Sequence, residues 1–141
     1  MTWLLDTCIV SELVKPAPNA SVLAWLEGCE EASLYLSVIT LGELEKGIAR
    51  LTDSRRRSRL RAWVRRDLAQ RFEGRLLPID AAVAVRWGKL AGESEARGQP
   101  LPVIDSLIAA TGLAHDLTVV TRNVADFERS GAHCFNPWEK T

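Results

Sequence analysis

WLLDTCIVSELVKP, residues 3–16, is the stretch on which the reading of the fold turns. Trp3-Leu4-Leu5 is short, continuously apolar and bounded by a charge, which predicts a buried strand. Asp6 ends it. Thr7 and its neighbours then open a short helix that Lys15-Pro16-Ala17-Pro18 stops, because a proline disfavours helical geometry in the residue before it. A strand followed at once by a helix is how an α/β layer begins. Here it leaves a carboxylate at the strand's end with no Lys or Arg nearer in sequence than Lys15. Either water or a partner delivered by the fold must neutralise that charge.

Outward from this stretch the alternation continues. Leu34-Tyr35-Leu36-Ser37-Val38, Leu76-Leu77-Pro78-Ile79 and Leu117 to Val120 read as further short strands, with His133-Cys134-Phe135 as an edge strand. Helical patterns separate them. Asn19 is placed to cap a helix carrying Val22, Leu23, Trp25 and Leu26, and Thr40-Leu41-Gly42-Glu43 has the form of a capping box opening a helix through about Arg50. Asp53 begins a long Arg-rich helix to about Phe72, and Asp80 caps Ala81 to Arg97, which Gly98 ends. Pro102 stands near the first turn of a helix running to about His115, and Asn123 to Arg129 forms a last short helical turn. Short apolar strands alternating with helices predict an α/β domain whose mainly parallel sheet is covered on both faces.

The length of 141 residues suits one core and is short for two, so a single domain over 1–141 is expected. No segment approaches the roughly 18 uninterrupted apolar residues of a membrane span, and no membrane partner is expected. Asp6 interrupts the first apolar run before a signal peptide could form, which makes cytoplasmic the expected location. Cys8, Cys29 and Cys134 are odd in number and far apart, against both a disulfide framework and a paired-cysteine zinc site. The formal net charge is zero, yet ten arginines face only three acids between Arg50 and Arg75, a local charge of +7. Arg55, Arg56 and Arg57 in that run are candidates for RNA binding, since Arg pairs bidentately with phosphate; the competing reading is a solvated helix face.

Ligands of open α/β sheets bind beyond the carboxyl ends of the strands. Asp6 stands there after the first strand, and Thr121-Arg122-Asn123 after the fourth, with Asp126 close behind. Glu43 and Asp105 lie near the first turns of two helices, and Asp105 is flanked by residues that favour burial. Four carboxylates gathered at one edge would raise one another's pKa, and a divalent cation relieves the conflict. Oxygen donors without His or Cys at ligand spacing suit Mg²⁺ or Mn²⁺ better than Zn²⁺. Such an ion supports hydrolysis of phosphate esters.

LLDTCIVSELVKP (4–16), LSVITLGELEKGI (36–48), PVIDSLIAATGLAHDLTVVTRNVADF (102–127) and the closing FNPW (135–138) follow one another as the motifs of a known family do. The chain resembles the PIN-domain ribonucleases, and among them the VapC and FitB type toxins of type II toxin-antitoxin pairs. The resemblance implies a PIN-like three-layer α/β/α sandwich and an endoribonuclease that uses Mg²⁺ or Mn²⁺. It implies Asp6, Glu43, Asp105 and Asp126 as the catalytic acids, with Asp6 and Asp105 the direct metal ligands. Thr7, Thr121 and Asn123 would orient them, with Asn123 an alternative to Asp126 for the fourth position. Implied partners are an RNA substrate and a small cognate antitoxin of the VapB or FitA kind, in a homodimer or a larger toxin-antitoxin assembly.

One position departs from the family pattern: Cys8 stands where Asn usually follows the Asp-Thr pair. A thiol lacks an amide's paired donor and acceptor, so reduced or retuned activity is expected. The alternative function is a PIN-like protein that binds RNA or antitoxin with weak or no catalysis. A haloacid dehalogenase type phosphatase needs a second acid where Cys8 stands, and a receiver domain needs a late Lys where Asn123 stands. Both fit poorly.

Overall fold

The computed structural model describes residues 1–139. Its strands and helices are β1 (Trp3–Leu5), α1 (Thr7–Glu12), α2 (Ala20–Glu27), β2 (Leu34–Ser37), α3 (Val38–Ala49), α4 (Ser54–Ala62), α5 (Ala69–Arg71), β3 (Leu76–Leu77), α6 (Ala81–Ala96), α7 (Val103–His115), β4 (Thr118–Val120), α8 (Val124–Arg129) and β5 (Cys134–Phe135). The described strands form one sheet in the order β3-β2-β1-β4-β5, and every pairing is parallel. The chain builds one half outward from β1, then crosses back to lay β4 against β1's other side. That reversal opens a crevice between the carboxyl ends of β1 and β4, the position where open α/β sheets hold their ligands.

Successive strand residues point to opposite faces, and this divides the apolar residues between two cores. Leu5, Leu34, Leu36 and Val120 face one core, filled by Ile9, Val10, Val22, Leu26, Ile48, Val64, Leu68 and Phe72. Leu4 and Val119 face the other, filled by Leu90, Ile108, Ala109 and Phe127. Helices thus cover both faces of the sheet. On the second face α7 lies close over β4 at Gly112, where an added Cβ would come within 3.0 Å of Val119 Cγ2 and 3.3 Å of the Leu117 carbonyl oxygen.

Most expected elements are present with ends moved by a few residues. Val38 does not continue β2: the strand stops at Ser37, and α3 starts at Val38 without an intervening loop. The capping box expected at Thr40-Glu43 therefore does not form. Ser37 Oγ caps α3 by accepting from the Ile39 N–H at 3.1 Å, while Thr40 is fully buried inside the first turns. The Arg-rich helix does run on from α4 to α5, but through a π-helical stretch at Trp63–Leu68 that no residue pattern announces. Gly98 ends α6 as expected, in a left-handed conformation with φ +71°.

Candidate functional site

The register sets the site. Leu5 pairs with Val120, so Asp6 and Thr121 emerge side by side at the carboxyl ends of adjacent strands. The Asp6 N–H extends the ladder by donating to the Val120 carbonyl at 2.9 Å. Its side chain is buried, and each oxygen accepts a close hydrogen bond. Oδ1 accepts from the Thr7 N–H at 2.8 Å, which caps α1, and Oδ2 accepts from the Thr121 hydroxyl at 2.8 Å. Burial pushes the Asp6 carboxyl above the usual carboxylate range; the Thr121 and Thr7 hydrogen bonds oppose that shift and the Glu43 charge adds to it.

Thr7 joins the next acid to this corner. Its hydroxyl donates to Glu43 Oε1 at 2.7 Å and lies 3.4 Å from Thr40 Oγ1. The Thr40 that fails as a cap therefore packs beneath the residue that orients Glu43. On the other side of Asp6, Thr121 Oγ1 accepts from the Asn123 N–H at 2.9 Å. The Asn123 side-chain amide then bridges two acids, donating to Asp105 Oδ2 at 3.2 Å and to Asp126 Oδ2 at 2.8 Å.

The two bridged acids have opposite electrostatics. Asp126 is held below the usual range by Asn123 and by Arg129, whose guanidinium donates to Oδ1 at 2.6 Å. Asp105 is pushed up to about 6, first by burial and then by the charges of Asp6, Asp126 and Glu43. Among the described residues no Lys or Arg forms an ion pair with Asp6, Glu43 or Asp105. The four acids thus act on one another electrostatically, and three of them lack a protein cation. Arg129 is a site residue that the sequence motifs do not single out, although its place one helical turn after Asp126 is a readable signal.

The donor chemistry of this corner suits a hard divalent cation, because its acceptors are mainly carboxylate and hydroxyl oxygens. Among the described residues no three His, Cys, Asp or Glu side chains are close enough to hold an ion by themselves. Cys8 lies at the same corner, beside Asp6 and Thr121. Its thiol is pushed up to about 11 by burial and by the Asp6 charge, so it stays protonated at neutral pH. At 3.7 Å from Asp6 Oδ2 it is a weak donor, and Thr121 supplies the close hydrogen bond to that oxygen.

The Arg run divides by contact. Arg61 and Arg65 pair with Glu45 at 3.4 and 3.6 Å, and Arg57 donates to the Leu51 carbonyl at 2.9 Å. Arg55 is exposed on the same helix. Arg56 lines a cleft of about 270 Å³ whose wall also includes Thr7, Glu43, Lys15 and Trp63. Of Arg55, Arg56 and Arg57, only Arg56 lines that cleft with Glu43.

An all-parallel sheet covered on both faces by helices is the architecture the sequence motifs implied, and comparison with known proteins agrees. The PIN domain model matches residues 3–131, and the chain belongs to the PIN-domain family. It is 36% identical over 135 residues to Toxin FitB of Neisseria gonorrhoeae, spanning 96% of this chain and 97% of that protein. It is 35% identical over 136 residues to the VapC ribonuclease Y4jK of Sinorhizobium fredii, spanning 96% and 97%. Among solved structures, one of FitAB bound to a DNA fragment superimposes with a TM-score of 0.92 at 34% identity, covering 99% of this chain and 98% of that one. No helix among the described residues is long and apolar enough to cross a membrane.

Proposed function

We propose that this chain is a metal-dependent endoribonuclease and the toxic component of a type II toxin-antitoxin pair. The observation that carries the reading is Asp105: a half-buried carboxyl raised to about 6 by burial and by three other acids, with no protein cation paired to it. Such a cluster is costly alone and useful with a cation. Relatives named as a toxin and as a ribonuclease support the class of chemistry.

Asp6 and Asp105 would hold Mg²⁺ or Mn²⁺. When bound, the ion supplies Lewis-acid stabilisation of charge on the phosphate. Thr121 and the Thr7 N–H fix both oxygens of Asp6. Glu43 is anchored through Oε1 by Thr7, leaving Oε2 to take a proton from the water that attacks phosphorus. That water adds to phosphorus as the P–O bond to the leaving ribose breaks, and the leaving oxygen takes a proton from solvent, giving a phosphate monoester and an alcohol. Asn123 sets the spacing of Asp105 and Asp126, and Arg129 keeps Asp126 ionised.

Arg56, with Lys15 across the cleft, would contact RNA phosphate on the approach to Glu43. The reading carries a cytoplasmic location with it, and a small antitoxin of the VapB or FitA kind that presents a basic side chain to the acids. The assembly would be a homodimer or a dimer of toxin-antitoxin pairs. Incubation of a defined RNA panel with wild type and Asp6→Ala, in Mg²⁺, in Mn²⁺ and with chelator, tests the proposal. Cleavage by wild type with metal alone supports it; equal cleavage by the variant, or cleavage in chelator, overturns it.

A further inference from the structure

The closing FNPW plays no part in the acid cluster, yet it touches the loop that builds it. Thr121, Arg122 and Asn123 join β4 to α8, and both flanking side chains bond to catalytic acids. β5 pairs in register with β4, Phe135 opposite Val120, and the Phe135 carbonyl accepts the Thr121 N–H at 2.9 Å. After β5 the chain turns back: Asn136 Oδ1 accepts the Trp138 N–H at 2.9 Å, and this turn sets the indole against the larger core. The Arg122 guanidinium lies 4.2 Å over that indole ring. A cation over an indole face at this distance is attracted to it.

The Arg122 charge also acts, more weakly, on an acid of α1. Glu12 is buried, accepts the Asn19 N–H at 2.8 Å, and has Lys15 Nζ 2.8 Å from its other oxygen. The Arg122 charge reaches the same carboxylate. The middle residue of the loop is therefore held by a C-terminal indole, while its neighbours on each side aim Asp6, Asp105 and Asp126.

We propose that Trp138 is a positioning residue for the acid cluster, acting by clamping Arg122 and through it the Thr121–Asn123 loop. The inference rests on the nuclease reading for its catalytic consequence, but the clamp itself is a structural statement and is measurable alone. The indole Nε1 is buried without a hydrogen-bond partner among the described residues. Its ring, not its N–H, makes the contact. A phenyl ring keeps an aromatic face for the guanidinium and removes an unsatisfied donor, so Trp138→Phe should fold at least as well as wild type and retain the clamp. Trp138→Ala and Arg122→Ala should both release it.

The test measures amide hydrogen exchange by NMR at Thr121 and Asn123, with Val119 and Leu5 as internal references, in wild type, Trp138→Phe, Trp138→Ala and Arg122→Ala. The clamp predicts roughly 2- to 5-fold faster exchange at Thr121 and Asn123 in both Ala variants, with reference amides unmoved and wild-type rates in Trp138→Phe. Arg122→Ala is an exposed replacement and keeps the comparison open if Trp138→Ala fails to fold. In RNA cleavage the Ala variants should lose about 10-fold in kcat with KM little changed, and Trp138→Phe should recover it. Unaltered exchange at Thr121 and Asn123 in Arg122→Ala overturns the clamp whatever the activity. Inactive wild type with altered exchange would instead fault the nuclease reading and leave the clamp standing.

Discussion

Thr121 Oγ1 and Asp6 Oδ2 are 2.8 Å apart across 115 positions of chain, and this hydrogen bond ties the ends of the two strands that frame the acidic crevice. It is a buried bond to a buried carboxylate, so its loss is felt twice, in the stability of the fold and in the aim of Asp6.

Thr121→Val keeps the shape of the side chain and deletes the donor. Asp6 Oδ2 is then left with only the Cys8 thiol at 3.7 Å. Urea unfolding at pH 7 should show a loss of about 1–3 kcal/mol, the usual range for stranding a buried polar group. An unmoved midpoint would mean that the carboxylate finds another donor.

Stability should also depend on pH through Asp105. Its folded value of about 6 lies above the ordinary 3.8, so the fold favours the protonated form. The stability this lends is complete below about pH 4 and is lost as pH rises through about 6. Asp105→Asn cannot ionise and should gain on metal-free wild type between those values, by about 1 kcal/mol after discounting for the carboxyl's partial exposure. Urea midpoints of both proteins at pH 4 and 7 measure this, and a difference that does not change with pH contradicts it. Saturating Mg²⁺ should stabilise wild type at pH 7 and narrow the gap.

The fold was legible where one local signal had one meaning. Trp3-Leu4-Leu5 ending at Asp6 admits little besides a buried strand, and the alternation that follows leads to a parallel sheet. Thr40 and Glu43 carried a signal with two meanings: their spacing matches a capping box, but Ser37 at the strand's end reaches the helix first and frees both for the site corner. Asn123 and Asp126 looked like alternatives because sequence shows them only as near neighbours. The Asn123 bridge to Asp105 depends on α7 and β4 meeting in space, which no local pattern records. The π-helical stretch at Trp63–Leu68 was hidden for a related reason, since a single wider turn within a helix leaves no residue signature of its own.

RNA contact by the Arg helix should be uneven. Arg56 lines the cleft beside Glu43, whereas Arg57 is occupied by the Leu51 carbonyl. Arg56→Ala should weaken binding of a non-cleaved RNA and lower the salt slope by about 0.7 for each phosphate it no longer neutralises, and Arg57→Ala should do less. Equal slopes for wild type and Arg56→Ala would return the run to a solvated surface.

Packing makes a separate demand at Gly112. Gly112→Ala would press a methyl to within 3.0 Å of Val119 Cγ2 and 3.3 Å of a backbone oxygen, which has little room to yield. A loss of about 1–3 kcal/mol is expected by thermal or urea unfolding, despite the better helix propensity of Ala. A gain in stability would show that α7 lifts freely from β4.

The central claim is that Asp6 and Asp105 make one metal-dependent centre for cutting RNA. Its most direct test is a Mn²⁺ titration of the cleavage rate of one defined RNA by wild type, Asp6→Asn and Asp105→Asn, each first shown to fold. The account predicts saturable Mn²⁺ dependence in wild type and losses beyond the roughly 10–100-fold typical of removing an outer partner in either variant. Cleavage by Asp105→Asn at the wild-type rate and with the wild-type metal dependence would contradict it.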